Sequence, residues 1–305
     1  VGPRRSHGGD RIDVLSKVTG GMQQPLVISS LAELTAWVAA KRQAGASLGL
    51  VPTMGALHAG HLSLVEASRA RGHATAVTIF VNPAQFGPQE DFARYPRTLE
   101  TDVALVGPAG AELVFAPPVE CVYPAGFATY VEPAGVALPL EGAYRPGHFR
   151  GVATVVLKLF QMLPADTAFF GQKDYQQALV IRQMVRDLNL PIEITVCPIV
   201  READGLALSS RNRYLAPAER QRALSLSQSL ALAADLVARG ERDCRRIQAR
   251  MLDLLSAADV VVDYVSIANR ESLAELTRLD RPAVALIAGR VGTTRLIDNR
   301  LLDVC

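Results

Sequence analysis

The sequence predicts an α/β domain built on a mostly parallel sheet, followed by a smaller α+β domain. Three observations carry this. From residue 26, short apolar runs alternate with longer runs whose apolar residues recur at helical spacing, the pattern of βαβ units. "ATAVTIFV" (74–81) is apolar almost without a break, as suits a strand buried on both faces. Past about residue 200 the texture changes, with two Ala- and Leu-rich helices preceding two strand-like stretches. At 305 residues the chain is long enough for two cores. The expected division is 22–199 and 200–305. Residues 1–21, "VGPRRSHGGDRIDVLSKVTGG", are rich in glycine and charge without an apolar segment, which predicts a disordered extension.

The elements follow in order. "LVIS" reads as a strand, and "SLAELTAWVAAKRQAG" as a helix capped by Ser29 or Ser30 and ended by Gly45. "LGLVPT" is the next strand, leading to a helix from about Gly60 to Arg71 with Leu62, Leu64 and Val65 facing inward. "AELVFAP" and "TAFFG" are short strands, with "VATVVLKLFQML" a helix between them. "YQQALVIRQMVRDLN" places Ala178, Ile181, Val185 and Leu188 on one helical face, and "IEITVCPIV" alternates as a strand. Helices at about 217–239 and 241–257 precede the strand "VVVDYVSIA". "AVALIAGRVGTTRLIDN" is then a hairpin turning at Val291-Gly292.

Composition narrows the partners. A formal net charge of +2 gives no case for nucleic acid or an anionic membrane. No apolar run approaches the roughly 18 residues of a membrane span; the most apolar stretch, 151–163, is cut by Lys158 and Gln161. Cys121, Cys197, Cys244 and Cys305 lie far apart with no CxxC pair, which argues against a zinc ribbon or a disulfide framework. They read as buried or incidental thiols in a reducing cytoplasm.

Chemistry concentrates in five stretches. "VPTMGALHAGHLSLVEASRA" (51–70) sets His58 and His61 around Gly60 at the mouth of a helix. A helix N-terminus has unpaired N–H groups and partial positive charge, so it receives anions. Gly60 lets backbone approach a ligand, and imidazoles can donate to phosphate oxygens without a full charge. The motif alone leaves two other readings open: a metal site, although HxxH lacks a third ligand, or two capping histidines. "FVNPAQFG" (80–87) puts Asn82 and Gln85 at the carboxyl end of a strand, where open α/β sheets bind ligands; a plain turn fits equally. "FFGQKDYQQ" (169–177) brings Gly171, Lys173, Asp174 and Gln177 to a helix start, where the lysine either reaches a phosphate or is solvated. "READGLALSSRNRYL" (201–215) holds Ser209, Ser210 and Arg211, suited to a phosphate tail or to a capped polar loop. "LEGAYRPGHFRGV" (140–152) gathers Arg145, His148 and Arg150 in a loop fit for a carboxylate, or merely at the surface.

Taken in order and spacing, "PTMGALHAGH", "IFVNPAQFG", "YPRT", "RPGHFRGV", "FFGQKDYQQ" and "LALSSRNRYL" resemble the pantothenate synthetase (pantoate–β-alanine ligase) family over about residues 26–300, with actinobacterial relatives foremost. The resemblance implies a Rossmann-like ATP-binding domain of the HxGH nucleotidyltransferase superfamily, a C-terminal lid domain, a cytoplasmic homodimer, ATP as co-substrate and magnesium. It implies that His58 and His61 stabilise the phosphate undergoing adenylyl transfer, with Lys173, Ser209 and Arg211 beside them. Pro52, Met54, Gly55, Gly60, Gly171, Asp174, Val200, Leu208 and Ser210 would complete the ATP site, and Gln85 and Gln177 would hold pantoate. Asn82, Tyr95, Arg145 and His148, with Gln85, would lie near β-alanine or the reacting groups, and Asp102 would bind magnesium. Two departures stand out: Thr101-Asp102 replaces a pair of acids, and Leu208 replaces a methionine found in some members. The implied reaction joins (R)-pantoate to β-alanine through pantoyl adenylate, giving pantothenate, AMP and diphosphate. A nucleotidylyltransferase acting on a phosphate acceptor and a non-catalytic nucleotide sensor are the alternatives. The neutral amides of Gln85 and Gln177 weigh against the first, and the clustered phosphate-binding groups against the second.

Overall fold

Six strands form one parallel sheet: β1 (Leu26–Ile28), β2 (Leu48–Thr53), β3 (Ala74–Ile79), β4 (Leu113–Phe115), β5 (Thr167–Gly171) and β6 (Glu193–Cys197). They lie side by side in the order β1-β4-β3-β2-β5-β6, and every pairing is parallel. The structure is a computed structural model that describes residues 24–88 and 90–304; the expected disordered extension at 1–21 lies outside the described residues. The inner strands are buried on both faces, which is why they read as unbroken apolar runs.

Helices α1 (Leu31–Gln43), α2 (Ala59–Ala70), α3 (Leu99–Ala109), the short α4 (Val119–Val122) and α5 (Glu141–Tyr144), α6 (His148–Met162) and α7 (Tyr175–Asp187) connect the strands. Ser30 caps α1, its hydroxyl accepting from the Glu33 N–H at 3.3 Å. In α2, Leu64 and Val65 are buried while Leu62 is only half-buried. Of the four residues expected on one face of α7, Ala178 and Ile181 are buried and Val185 is half-buried. Leu188 departs from expectation, being 48% exposed, because it follows the last helical residue and the periodicity no longer governs it. Helix α3 is not predicted by the sequence pattern. Gly107 and Pro108 are stop signals there, yet Pro108 sits in the last turn and Gly110 closes the helix at φ +107°.

The C-terminal part carries α8 (Pro217–Ala238), α9 (Cys244–Ala257) and an antiparallel sheet of β7 (Val261–Asn269), β8 (Ala283–Val291) and β9 (Thr294–Leu302). Val291 pairs with Thr294, so the hairpin turns at Gly292-Thr293, one residue later than expected, where Gly292 supplies φ +58°. Leu226, Leu230, Ile247, Met251 and Ile287 belong to a core of this part's own. The parallel sheet has apolar clusters on both faces. No helix among the described residues is long and apolar enough to cross a membrane.

The pairing of the two central strands positions the site. Strands β2 and β5 pair only at Gly49–Thr167 and Leu50–Ala168. Beyond these they part, β2 staying with β3 as far as Thr53–Ile79 and β5 with β6 as far as Gly171–Cys197. The chain leaves β2 toward one edge and β5 toward the other, so this gap is the topological switch point, where open α/β sheets take their ligands. One wall depends on the close seating of α6 on the 83–85 turn: a Cβ on Gly151 would overlap the Ala84 carbonyl, with Gln85 N at 2.6 Å. Gly151→Ala is expected to lower stability by about 1–3 kcal/mol through overpacking against immovable backbone, read as an earlier thermal or urea midpoint. An unchanged midpoint would show that the turn yields freely.

Candidate active site

The crevice at the β2/β5 gap widens into one cavity. Every residue expected to take part in catalysis or binding lines it except Gly55, Asp102 and Arg150, which pairs with Glu132 instead.

His58 is the N-cap of α2. Its Nδ1 accepts from the Gly60 N–H at 3.2 Å, and the Nδ1 of His61 accepts from the His58 N–H at 3.3 Å. A nitrogen that accepts carries no proton, so each neutral ring places its N–H at Nε2. Both rings are held neutral. Burial, then the Lys173 ammonium, lowers His58 to about 4. Burial, then His58 and Lys173, lowers His61 to about 3. The histidines are therefore capping residues at one nitrogen and free donors at the other. Gly60 lines the cavity and also has a packing role, since a Cβ there would stand 3.0 Å from Cε1 and Nδ1 of His58. The glycine makes room for the imidazole. Among the described residues no group of three or more His, Cys, Asp or Glu side chains could hold a metal.

Asp102 departs from its expected role as a magnesium ligand. It is 1% exposed, and its oxygens accept from Ala56 N at 2.9 Å, Leu57 N at 2.8 Å and Thr98 Oγ1 at 3.2 Å. What it holds is the corner of the loop entering α2, where Gly55 (φ +81°) and Ala56 (φ +51°) are both left-handed. Gly55 thus shapes the backbone without lining the cavity. Ser210 reinforces the same corner by donating to the Ala56 carbonyl at 2.9 Å.

Asn82 also works inside the protein. At 1% exposure, its Nδ2 donates to Gln85 Oε1 at 3.0 Å and to the Gly151 carbonyl at 3.1 Å, while its Oδ1 accepts from Ala84 N and from the Tyr123 hydroxyl at 2.8 Å. Because the Ala84 N–H can only donate, the orientation of the Asn82 amide is fixed. Gln85 must then turn its own NH₂ outward, where among the described residues only the weakly accepting Met54 sulfur stands, at 3.0 Å. No local pattern points to Tyr123, whose partner is 41 residues away.

The arginines are engaged too. Arg145 grips Glu90 with Nε at 2.7 Å and Nη2 at 2.8 Å, and its Nη1 meets His148 Nε2 at 3.0 Å. Burial, then Arg145, lowers His148 to about 4, and its Nδ1–H donates to the Gln85 carbonyl at 2.9 Å. Arg145 and His148 therefore brace the turn that carries Gln85, in place of the free carboxylate-binding loop expected. Arg211 is held by Asp91 through Nε at 2.9 Å and Nη2 at 2.8 Å, beside the buried Tyr95. Burial alone would raise both acids, but the arginine hydrogen bonds and charges bring Glu90 and Asp91 below the usual carboxylate range. Lys173 lines the cavity with no ion-pair partner among the described residues. Gly171 has only open space where a Cβ would stand, so neither packing nor its φ requires a glycine there.

A Rossmann-like parallel sheet with two neutral HxGH imidazoles and a lysine at its switch point defines a nucleotide-handling α/β enzyme. Comparison with known proteins narrows the class. A sequence model of the pantoate–β-alanine ligase family matches residues 26–301. Pantothenate synthetase of Moorella thermoacetica is 54% identical over 279 residues, covering 91% of this chain and 99% of its own, and that of Rhodopirellula baltica is 52% identical over 279 residues, 90% and 98%. Among solved structures, pantothenate synthetase of Thermus thermophilus aligns with a TM-score of 0.84 at 45% identity, covering 90% of this chain and 98% of that one. The pantoate–β-alanine ligase of Francisella tularensis, complexed with β,γ-ATP and β-alanine, aligns with 0.74 at 30% identity, covering 91% and 97%. The chain belongs to the pantoate–β-alanine ligase family. None of these relatives is actinobacterial, so the expected actinobacterial kinship gains no support.

Two outcomes are expected. In the ligand-free protein, imidazole NMR signals of His58 and His61 should stay neutral, protonated at Nε2, from pH 8 down to about 5. Because both folded values lie below the ordinary 6.5, the unfolded chain takes up protons first, so stability falls as pH drops from about 6.5 toward 4 and 3. A titration midpoint near 6.5 for either ring would contradict this. Asp102→Ala should destabilise the fold by about 1–3 kcal/mol for each buried N–H left without an acceptor, read as an earlier urea or thermal midpoint. An unchanged midpoint would show that Asp102 does not hold this corner and would return it to the candidate ligands.

Proposed function

We propose that this cavity adenylates pantoate. The enzyme is an ATP-dependent ligase joining pantoate to β-alanine. On this reading a pantoate carboxylate oxygen attacks the α-phosphorus of ATP and expels diphosphate. The β-alanine amine then attacks the activated carbonyl, expels AMP and loses a proton, leaving pantothenate. Adenylation is needed because a carboxylate oxygen is a poor leaving group until it is phosphorylated.

The observation that carries the reading is the convergence in one cavity of two Nε2–H donors, an unpaired lysine and the outward NH₂ of Gln85. Neutral imidazoles stabilise negative charge developing on a pentavalent phosphorus by hydrogen bonding, while Lys173 supplies the full positive charge. Gln85, with Gln177 beside it in the cavity, offers donors suited to the hydroxyl and carboxylate oxygens of pantoate. Ser209 and Ser210 border the phosphates, and Arg211 reaches them with the part of its fork that Asp91 leaves free. No residue is placed as a covalent nucleophile, so approximation of bound substrates supplies much of the rate. Magnesium belongs to this reading as an ion that would enter with ATP and offset the negative charge of its phosphates. Asp174 is the cavity carboxylate available to it, and Asp102 is not. A homodimer, a cytoplasmic location and a division near residue 200 into catalytic and lid domains complete the proposal. They are supported by the family resemblance and by the separate C-terminal core. Relatives at 54% identity over nearly their whole length favour the ligase over a nucleotidylyltransferase or a sensor.

If the adenylate forms before the amine acts, pantoate alone should support exchange of labelled diphosphate into ATP. Exchange that strictly required β-alanine would refute the two-step scheme. Lys173→Ala should keep the fold and slow single-turnover adenylate formation by roughly 10²–10³, as loss of an oxyanion donor does. Formation at the wild-type rate would reduce Lys173 to a surface charge.

A further inference from the structure

The sequence "LIDN" near the C-terminus has no part in the chemistry above, yet Asp298 and Asn299 are buried polar residues on β9 at 3% and 2% exposure. Adjacent strand residues face opposite ways, and these two bond to different segments, Asp298 to Arg201 and Asn299 to Gln172 and Lys173. Asp298 accepts Arg201 bidentately, from Nη1 at 2.7 Å and Nη2 at 2.9 Å. Arg201 pairs with Ala207 in a small hairpin that leads directly into Leu208–Arg211. Asn299 points the other way. Its Nδ2 donates to the Gln172 carbonyl at 2.9 Å and the Lys173 carbonyl at 3.0 Å, and its Oδ1 accepts from Gln172 Nε2 at 3.1 Å. All three hydrogen bonds go to a turn 126–127 residues away, on a different sheet.

Residues 172–174 lie between the end of β5 and the start of α7, in a short 3-10 turn. The Lys173 side chain has no hydrogen-bonding partner of its own among the described residues, so its direction depends on the backbone from which it springs. That backbone is held at two successive carbonyls by one amide of the C-terminal sheet. We propose that Asn299 is a positioning residue for adenylyl transfer, setting the Lys173 ammonium against the His58–His61 pair. This rests on the role given to Lys173 above. The C-terminal part thereby builds the site as well as covering it.

The test is a double-mutant cycle on the full-length enzyme. Asn299→Ala removes the amide, and Asn299→Asp keeps its size while replacing the donating NH₂ with an oxygen that the two carbonyls repel. Adenylate formation is followed in single turnovers at saturating ATP and pantoate, with melting temperature and pantoate affinity measured alongside. Each substitution is expected to slow adenylate formation at least about tenfold, since a small misplacement of a catalytic group suffices for that. Pantoate affinity should stay within about twofold of wild type, and in a Lys173→Ala background the further loss should be under about twofold, because residues acting as one unit are not additive. If Asn299→Ala does not fold, Asn299→Asp carries the test. Wild-type rates for the Asn299 variants overturn the proposal, and so does an undiminished tenfold loss in the Lys173→Ala background, which would mark a general packing defect. Lys173→Ala at the wild-type rate would instead overturn the role of Lys173 itself, so the two failures are distinguishable.

Discussion

The brevity of the β2–β5 pairing governs everything near the site. Two residue pairs join the halves of the parallel sheet, and then the strands separate. Separation leaves backbone groups in need of partners, but β2 remains bonded to β3 and β5 to β6, so each strand stays satisfied along its other edge. The loop after β2 turns through Gly55 and Ala56 into α2 on one side, and the turn after β5 carries Lys173 on the other. A longer pairing would bring these loops together and close the space between them.

A cavity for polyanions invites the expectation of many free cations, but this one is built differently. Arg145 and Arg211 are each taken up by a carboxylate, Glu90 and Asp91, neighbours in the same segment. His58, His61 and His148 are kept neutral, chiefly by burial. Several unpaired charges in a partly dehydrated space would be costly to bury. The structure avoids that by pairing the arginines and leaving Lys173 as the cation among the described cavity residues without an ionic partner. Neutral donors surround it: the imidazole Nε2–H groups and the outward amide of Gln85. Such a site responds most strongly where negative charge develops, because its dipoles are already oriented.

How much of this the sequence disclosed follows the range of the interactions. The six parallel strands are legible because apolar periodicity is local, and His58, His61 and Lys173 are legible because they flank strand ends and helix starts. Helix α3 is obscured by Gly107 and Pro108, which read as breakers although only the last turn contains them. Asn82 and Asp102 read only as ligand candidates in the sequence, because side-chain type shows capacity to bond and not which protein groups it meets. Their partners, Tyr123 at 41 residues and Ala56 and Leu57 at 46 and 45, are set by the tertiary fold. Arg211 with Asp91 is separated by 120 residues and Asn299 with Lys173 by 126, and no spacing rule joins such pairs.

The most direct test of adenylyl transfer in the β2/β5 crevice is a crystal structure of the enzyme with a non-hydrolysable ATP analogue and pantoate. The expected result is an α-phosphate oxygen within about 2.7–3.2 Å of the Nε2 atoms of His58 and His61, the Lys173 ammonium against the phosphates and the Gln85 NH₂ on pantoate. An α-phosphate outside the crevice, or imidazoles that turn their Nε2 atoms away from it, would contradict that assignment.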